Sequence, residues 1–357
     1  ANGEPKPMLV WSRDMVEGNW MSGLQVTRPI PGFESASVNY LDPFDRVIAV
    51  VGPVRSGYLC VQTRGRLVCL DTVSGQLLWE RYELPRNAIC TGDDDAIYLV
   101  SPEQGHVETL RPTDGAKAAV HPLAGFETAR SDNPAVLMTG SSSALAQHAG
   151  EGQRAFIVDL KTGLRAWTLP AGTTHLFRAD TETIGHLSAD GRLTLHDLKS
   201  GRSVSRLKVE VPATIDGVAC TYDRNRWFIA IHTIKNVGKE ELPITFSTPL
   251  NGRLVAVNRA DGQLLWERSV EKAQLPLAQP GSVPVLVLVW TRRGGPGNSR
   301  IDDTFYHLID KRTGETLYEN LETGNDALFL VEPDPSQRRV EIRTNRRTFR
   351  IDYTARQ

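Results

Sequence analysis

The sequence predicts an all-β protein: a seven-bladed β-propeller of four-stranded antiparallel blades, in one domain over residues 1–357. Three observations predict it. One stretch is written nearly twice, as GRLVCLDTVSGQLLWER at 65–81 and GRLVAVNRADGQLLWER at 252–268. Its core motif recurs along the whole chain. And the two chain ends each hold the half of the motif that the other lacks.

The motif is an acidic residue, Gly four later, then Trp or a substitute four after that. It occurs at Asp71/Gly75/Trp79, Asp159/Gly163/Trp167, Asn258/Gly262/Trp266 and Asp310/Gly314/Tyr318. Weaker copies are Asp197/Gly201/Ser205 and Arg111/Gly115/Ala119. Successive glycines lie 40, 48, 38, 61 and 52 residues apart, which leaves room for four short strands per repeat. Segments such as RLVCLD and RLTLHD alternate before the Asp and read as half-buried strands. The Gly can take a positive φ cheaply, and the Asp can bond nearby backbone amides. Segments such as QLLWER supply the next strand, while VIAVVG, GYLCVQT, HLFRA and TIGHLSA supply the strands upstream. Helical periodicity is weak throughout.

At the N-terminus Trp11 matches a last-strand Trp with no Asp–x3–Gly before it; at the C-terminus Asp352 matches a third-strand Asp with no Trp after it. Pairing the N-terminal strand with the three C-terminal ones would close a ring and remove the sheet edge of an open array. Six internal copies plus this shared one make seven blades. Eight is the alternative, if a degenerate blade lies within 17–44.

The net charge is −1, so nothing global draws the chain to nucleic acid or to an anionic membrane. The longest apolar run, VPVLVLVW at 283–290, is too short to span a bilayer and reads as a buried strand. No membrane span and no nucleic-acid partner are expected. The basic stretch 338–350 reads as a hairpin with one wet face, Val340, Ile342 and Thr344 alternating with Glu341 and Arg343. The opening ANGEPKP, without Met, fits a processed mature chain or a piece of a longer one.

The repeats, FIVDLKTGLRAW at 156–167 and LVAVNRADGQLLW above all, resemble those of pyrroloquinoline-quinone-type β-propellers. That family includes quinoprotein alcohol dehydrogenases and the propeller lipoprotein of the bacterial outer-membrane β-barrel assembly machinery. The resemblance covers nearly the whole chain. It implies that Trp11, Trp79, Trp167 and Trp266, with Tyr318 as a substitute, dock between neighbouring blades. It also implies an extracytoplasmic, periplasmic location.

Quinoprotein enzymes of this class carry adjacent cysteines and a calcium ion beside the quinone. This chain has no Cys-Cys pair. Its acidic clusters, Asp93–Asp94–Asp95 and Asp302–Asp303, lack the alternating form of a calcium loop, and the first reads as a solvated turn. The eight histidines show no His-x3-His spacing, and there is no nucleophile elbow or phosphate loop. Catalytic, cofactor-binding and metal-binding residues are therefore all expected to be none. Four cysteines are too few for a disulfide scaffold. If Arg64 and Gly65 are the centre of a tight hairpin, Cys60 and Cys69 face each other at a non-hydrogen-bonded pair. Two readings stay open: a cross-strand disulfide, or two small buried thiols.

Four long insertions, at 17–44, 126–134, 236–250 and 293–303, all fall between a fourth and a first strand or between a second and a third. In a propeller those connections emerge on one face, and loops that lengthen on one rigid face carry recognition. Trp20, Phe33 and Tyr40 are the candidate apolar anchors, with Arg292 and Arg293 as the polar rim. Lys161 and Lys199, on the short turns of the other face, are expected to be dispensable for binding. The reading is a non-catalytic protein-interaction or assembly scaffold. The alternative is a diverged quinoprotein dehydrogenase or a small-ligand binder with a site at the central funnel.

Overall fold

The structure is a computed structural model that describes residues 25–26, 38–41, 47–63, 65–85, 87–126, 135–147, 155–170, 173, 175–180, 182–233, 247–276, 283–293, 301–323, 328–334, 339–344 and 348–352. The chain divides into two compact units, Ala1–Pro29 with Phe33–Ala171 and Ile30–Gly32 with Gly172–Gln357.

The first unit holds three antiparallel meanders. Sheet I contains Val47–Val54, Leu59–Thr63, Arg66–Leu70 and Leu77–Tyr82. Val38–Leu41 and Gln25–Val26 extend it at the Val47–Val54 edge. Part of the insertion read at 17–44 is therefore strand. Sheet II is built from Ile89–Gly92, Ile97–Ser101, His106–Leu110 and Lys117–Pro122. Sheet III is built from Ala135–Thr139, Ser143–Gln147, Ala155–Asp159 and Arg165–Thr168.

In the second unit, sheet IV contains His175–Arg178, Thr183–Leu187, Arg192–Asp197 and Ser203–Lys208. Sheet V contains Gly217–Tyr222, Arg226–His232, Ser247–Asn258 and Leu264–Pro276. Sheet VI contains Val285–Arg293, Ile301–Asp310 and Thr316–Thr323, and it joins sheet V through the single pair Gln274 and Val289. Sheet VII contains Leu328–Asp334, Arg339–Thr344 and Thr348–Asp352. The hairpin of sheet VI reaches further than the sequence suggested. Arg293 lies opposite Ile301 and Arg292 opposite Asp303, so all four residues, with Asp302, are strand and not loop.

Every repeat closes its third and fourth strands with the same turn. The Gly amide donates to the carbonyl of the Asp position at 2.8–2.9 Å in all six copies, including the degenerate Arg111/Gly115. The glycines share φ between 67° and 74°. In the clearest copy, Asp71 Oδ1 accepts from the amides of Val73 and Ser74 at 3.1 and 2.6 Å. One residue then bulges in each fourth strand: Leu78, Ala118, Ala166, Val204, Leu265 and Leu317 have no partner in the register. A bulge re-aims the next side chain and sharpens the twist. The residue that follows each bulge is the Trp position.

Where that residue goes explains the twice-written stretch. Trp79 Nε1 donates to Pro112 O of sheet II at 2.7 Å, and Trp266 Nε1 donates to Lys311 O of sheet VI at 3.0 Å. Each ring lies flat against the turn glycine of that next repeat. A Cβ at Gly115 would sit 2.5 Å from Trp79 Cδ2, and one at Gly314 would sit 2.7 Å from Trp266 Cδ2. The following arginines reach the same way: Arg81 pairs with Glu108 at 2.6 Å, and Arg268 donates to Gly314 O at 2.7 Å. Within their units, Trp79 and Trp266 thus join one sheet to the next. Trp167 is half-buried opposite Ile157, whereas Tyr318 is 41% exposed on its strand.

The half-buried reading holds for RLTLHD, where exposed Arg192 and half-buried Thr194 alternate with buried Leu193 and Leu195, but not for RLVCLD. Leu67, Val68, Cys69 and Leu70 are all buried. Successive residues of a strand point to opposite faces, and in sheet V each face meets a neighbouring sheet. Trp227, Ile229 and Ile231 of sheet V pack with Phe177, Leu193 and Leu195 of sheet IV. Phe228 and Ala230, between them, pack with Leu286 and Leu288 of sheet VI. Val285, Val287 and Val289 in turn face Val340 and Ile342 of sheet VII. The buried strand expected at 283–290 is of this kind. The C-terminal hairpin keeps its wet face, where Glu341 pairs with Arg343 and Arg350 at 3.3 and 2.9 Å.

Gly115→Ala and Gly314→Ala should each cost about 3 kcal/mol, combining a left-handed backbone with overpacking against the ring. Gly65→Ala, with φ of 77° but open space around it, should cost only about 1 kcal/mol. Chemical unfolding of the three variants measures the difference. Equal losses at all three positions would show that the Trp contacts impose no demand.

Candidate functional site

A second set of groups joins the sheets, at the turns between first and second strands. Asp93, Asp180 and Asp223 each follow a first strand. One carboxylate oxygen holds the turn itself. Asp93 Oδ1 accepts from the amides of Asp95 and Ala96, both at 3.0 Å, and Asp223 Oδ1 accepts from Asn225 and Arg226, both at 2.8 Å. Asp180 Oδ1 accepts from Glu182 at 2.9 Å.

In Asp93 and Asp180 the other oxygen faces a basic residue from the next sheet, one or two positions after the motif Asp or Asn, whereas Asp223 Oδ2 accepts from Arg226 of its own sheet at 3.2 Å. Lys161 of sheet III lies 3.0 Å from Asp93 Oδ2, which also accepts from Tyr98 Oη at 3.1 Å. Arg259 of sheet V donates to Asp180 Oδ2 of sheet IV at 2.8 Å, and Trp227 Nε1 donates to the same oxygen at 2.7 Å. The Arg259 guanidinium also lies over the rings of Tyr222 and Trp227. From sheet I, Tyr58 Oη donates to Asp93 O at 2.6 Å and Arg55 Nε to Gly92 O at 2.9 Å.

These contacts correct the solvated reading of 93–95. Asp94 and Asp95 are exposed, but Asp93 is half-buried between sheets. Burial alone would raise its pKa; Lys161 and the turn amides outweigh that and hold it below the usual carboxylate range. With Oδ1 on backbone amides and Oδ2 on Lys161 and Tyr98, this carboxylate does not fit the calcium that accompanies quinone chemistry. Lys161 is correspondingly a joint between sheets and not a free side chain.

Lys311, which follows Asp310, is the buried member of this set. It is 2% exposed and lies 5.8 Å over the Phe228 ring. Burial pushes its pKa down to about 8, Asp223 opposing the shift and Arg226 adding to it.

Histidine spacing in the sequence concealed one further pair. His186 and His196, on adjacent strands of sheet IV, stack with centroids 5.4 Å apart. Burial, then the neighbouring ring, lowers the His186 pKa. Among the described residues, no three His, Cys, Asp or Glu side chains gather as metal ligands.

Of the anchors read from sequence, Trp20 and Phe33 lie outside the described residues, as does Trp11. Tyr40 is in the strand Val38–Leu41, opposite Ala49. Insertion residues 127–134, 236–246 and 294–300 also lie outside them. Exposed apolar side chains appear elsewhere, at the fourth strands: Leu77, Leu78, Leu164, Leu264, Leu265 and Leu317 are each 38–64% exposed. No helix among the described residues is long and apolar enough to cross a membrane.

Residues 9–190, just over half of the chain, match the family model described as outer membrane protein assembly factor BamB. The chain belongs to that family. Solved structures similar to this BamB-family chain include BamB from Moraxella catarrhalis, at 16% identity and a TM-score of 0.38, covering 87% of this chain and 88% of that one. Others are the dihydro-heme d1 dehydrogenase NirN in complex with DHE (15%, TM-score 0.46, covering 95% and 72%) and the WD40 domain of SCAP from fission yeast (9%, TM-score 0.47, covering 89% and 93%). No curated protein sequence matches the chain.

The Lys311 environment makes a signed pH prediction. Its folded pKa, about 8, lies below the ordinary 10.5, so between those values the unfolded chain binds more protons. Stability from this group therefore rises with pH across that window, by about 3 kcal/mol in all. Wild type should gain on Lys311→Met between pH 8 and 10, with the variant at least as stable at pH 7. Parallel pH–stability profiles would contradict this.

Proposed function

We propose that the chain is a non-catalytic protein-interaction or assembly scaffold: a seven-bladed propeller over 1–357, acting outside the bacterial cytoplasm. The observation that carries this reading is where the motif residues are used. The recurring Trp, Gly, Asp and basic residues serve to join one sheet to the next, as at Trp79 with Gly115 and Asp93 with Lys161. That leaves the motif as architecture and function to the surface. The family's description as an assembly factor supports a protein partner and an envelope location.

In this reading the seventh blade is sheet VII completed by an N-terminal strand carrying Trp11. Sheet VII has three strands among the described residues, which supports that completion. The partner docks on the face that carries the long insertions, with Trp20, Phe33 and Tyr40 as anchors and Arg292 and Arg293 at the rim. Aromatic and arginine side chains are the usual centres of binding energy.

Removing residues 1–15 should lower the melting temperature of the whole chain, because it takes a strand and Trp11 from the shared blade. An unchanged cooperative melt would rule that closure out. For binding, the partner is isolated by crosslinking in intact cells, and its affinity for purified variants is then measured. Trp20→Ala should weaken it by about 2 kcal/mol or more, with the melt unchanged, while Lys199→Ala on a short turn should leave it unaltered. Loss of binding at Lys199 with full binding at Trp20 would put the partner on the opposite face. Unfolding by Trp20→Ala would make the first insertion a structural plug.

A further inference from the structure

Three of the four cysteines meet in the packing between sheets I and II. Cys60 and Cys69 are direct partners on adjacent strands. Cys90, on the first strand of sheet II, packs into the same core cluster. Cys60 and Cys69 are fully buried and Cys90 is 7% exposed. Cys69 Sγ donates to Pro112 O of sheet II at 3.7 Å. All are free thiols, and so is Cys220, which packs in a separate cluster of the second unit.

Apolar packing does not require this arrangement. Val61 and Val68, the adjacent pair in the same ladder, fill an equivalent place with hydrocarbon. The register adds a constraint. Thr63 and Arg66 form the pair next to the turn, so alternation makes Cys60 and Cys69 a non-hydrogen-bonded pair. Such pairs bring Cα atoms to about 4.5 Å, near the short end of what a disulfide spans. A bond of that kind is open to exchange with a third thiol beside it. Hydrogen bonds to Cys69 and Cys90, with burial, push the Cys60 pKa well up. The folded thiol is therefore a poor nucleophile, and oxidation belongs to the folding chain, before the sheets close over it.

We propose that Cys60, Cys69 and Cys90 form a thiol–disulfide site in which Cys60 is the shared sulfur, bonded to Cys69 in the oxidised protein, with Cys90 as its exchange partner. In the oxidation, Cys60 and Cys69 each give up a thiol hydrogen and their sulfurs join. A protein or low-molecular-weight disulfide accepts the two electrons and two protons and is reduced to two thiols. In the exchange, Cys90 gives up its thiol proton and its sulfur attacks the Cys60 sulfur, the Cys60–Cys69 bond breaks, and Cys69 leaves as a thiolate that takes up that proton. No net oxidation accompanies that second step. The site does not depend on the scaffold reading.

The test refolds the full chain in a buffer of oxidised and reduced glutathione, quenches with acid, alkylates under denaturing conditions and maps peptides by mass. Wild type should show Cys60 linked to Cys69, with Cys90 and Cys220 alkylated. Cys69→Ala should move the link to Cys60–Cys90. Cys60→Ala should leave Cys69, Cys90 and Cys220 all alkylated. Four alkylated cysteines in wild type would overturn the site. A Cys69–Cys90 link in Cys60→Ala would overturn the shared role of Cys60. An unlinked Cys60 in Cys69→Ala would overturn the exchange role of Cys90.

Discussion

The structure depends on a contact between an indole ring and a glycine that has no side chain to resist it. Trp79 against Gly115 and Trp266 against Gly314 are the best-defined cases. Each has three parts that must coincide: a turn that puts the glycine in the left-handed region, a bulge that turns the next ring outward, and a carbonyl that receives the indole N–H. Large aromatics bury much apolar area and still need a partner for their polar edge. The neighbouring repeat supplies the packing surface and the acceptor from one turn.

That contact sets the character of the strands. Once both faces of a sheet are covered, alternation between wet and dry residues gives way to alternation between two different dry neighbours. Phe228 and Ile229 are adjacent in the chain and buried in different clusters. The fourth strands depart from this, and there the leucines beside the Trp are exposed. The carboxylate–cation joints repeat the logic in polar form. Each Asp secures its own turn with one oxygen, and Asp93 and Asp180 hold the next sheet with the other.

Much of the architecture was legible because it is local. The turn from Asp71 to Gly75, the hairpin opposing Cys60 and Cys69, and the buried strand at 283–290 all follow from residues close in sequence. What was missed lies between repeats. In the sequence Gly115 shows its backbone freedom alone, because the Trp79 ring that needs its bare Cα belongs to the preceding repeat. Asp93 looks solvated in the sequence because Lys161 is 68 residues away. A signal for it was nevertheless present: Asp93, Asp180 and Asp223 recur just after first strands, and Lys161, Arg259 and Lys311 recur just after the motif Asp or Asn. Comparing those positions across repeats would have paired them. His186 and His196 escaped because strand register, not helical spacing, brings them together.

The indole–glycine joint also bears on how such a chain can be inherited. Trp266 and Gly314 belong to different repeats, so the unit of fit runs from one fourth strand to the next turn. A graft of one whole repeat from another protein would fold its own four strands and still cut a joint at each end. Each graft therefore carries two foreign seams, and a cut inside a sheet, between the turn glycine and the fourth strand, leaves each indole with its own glycine where a cut in the linker parts them.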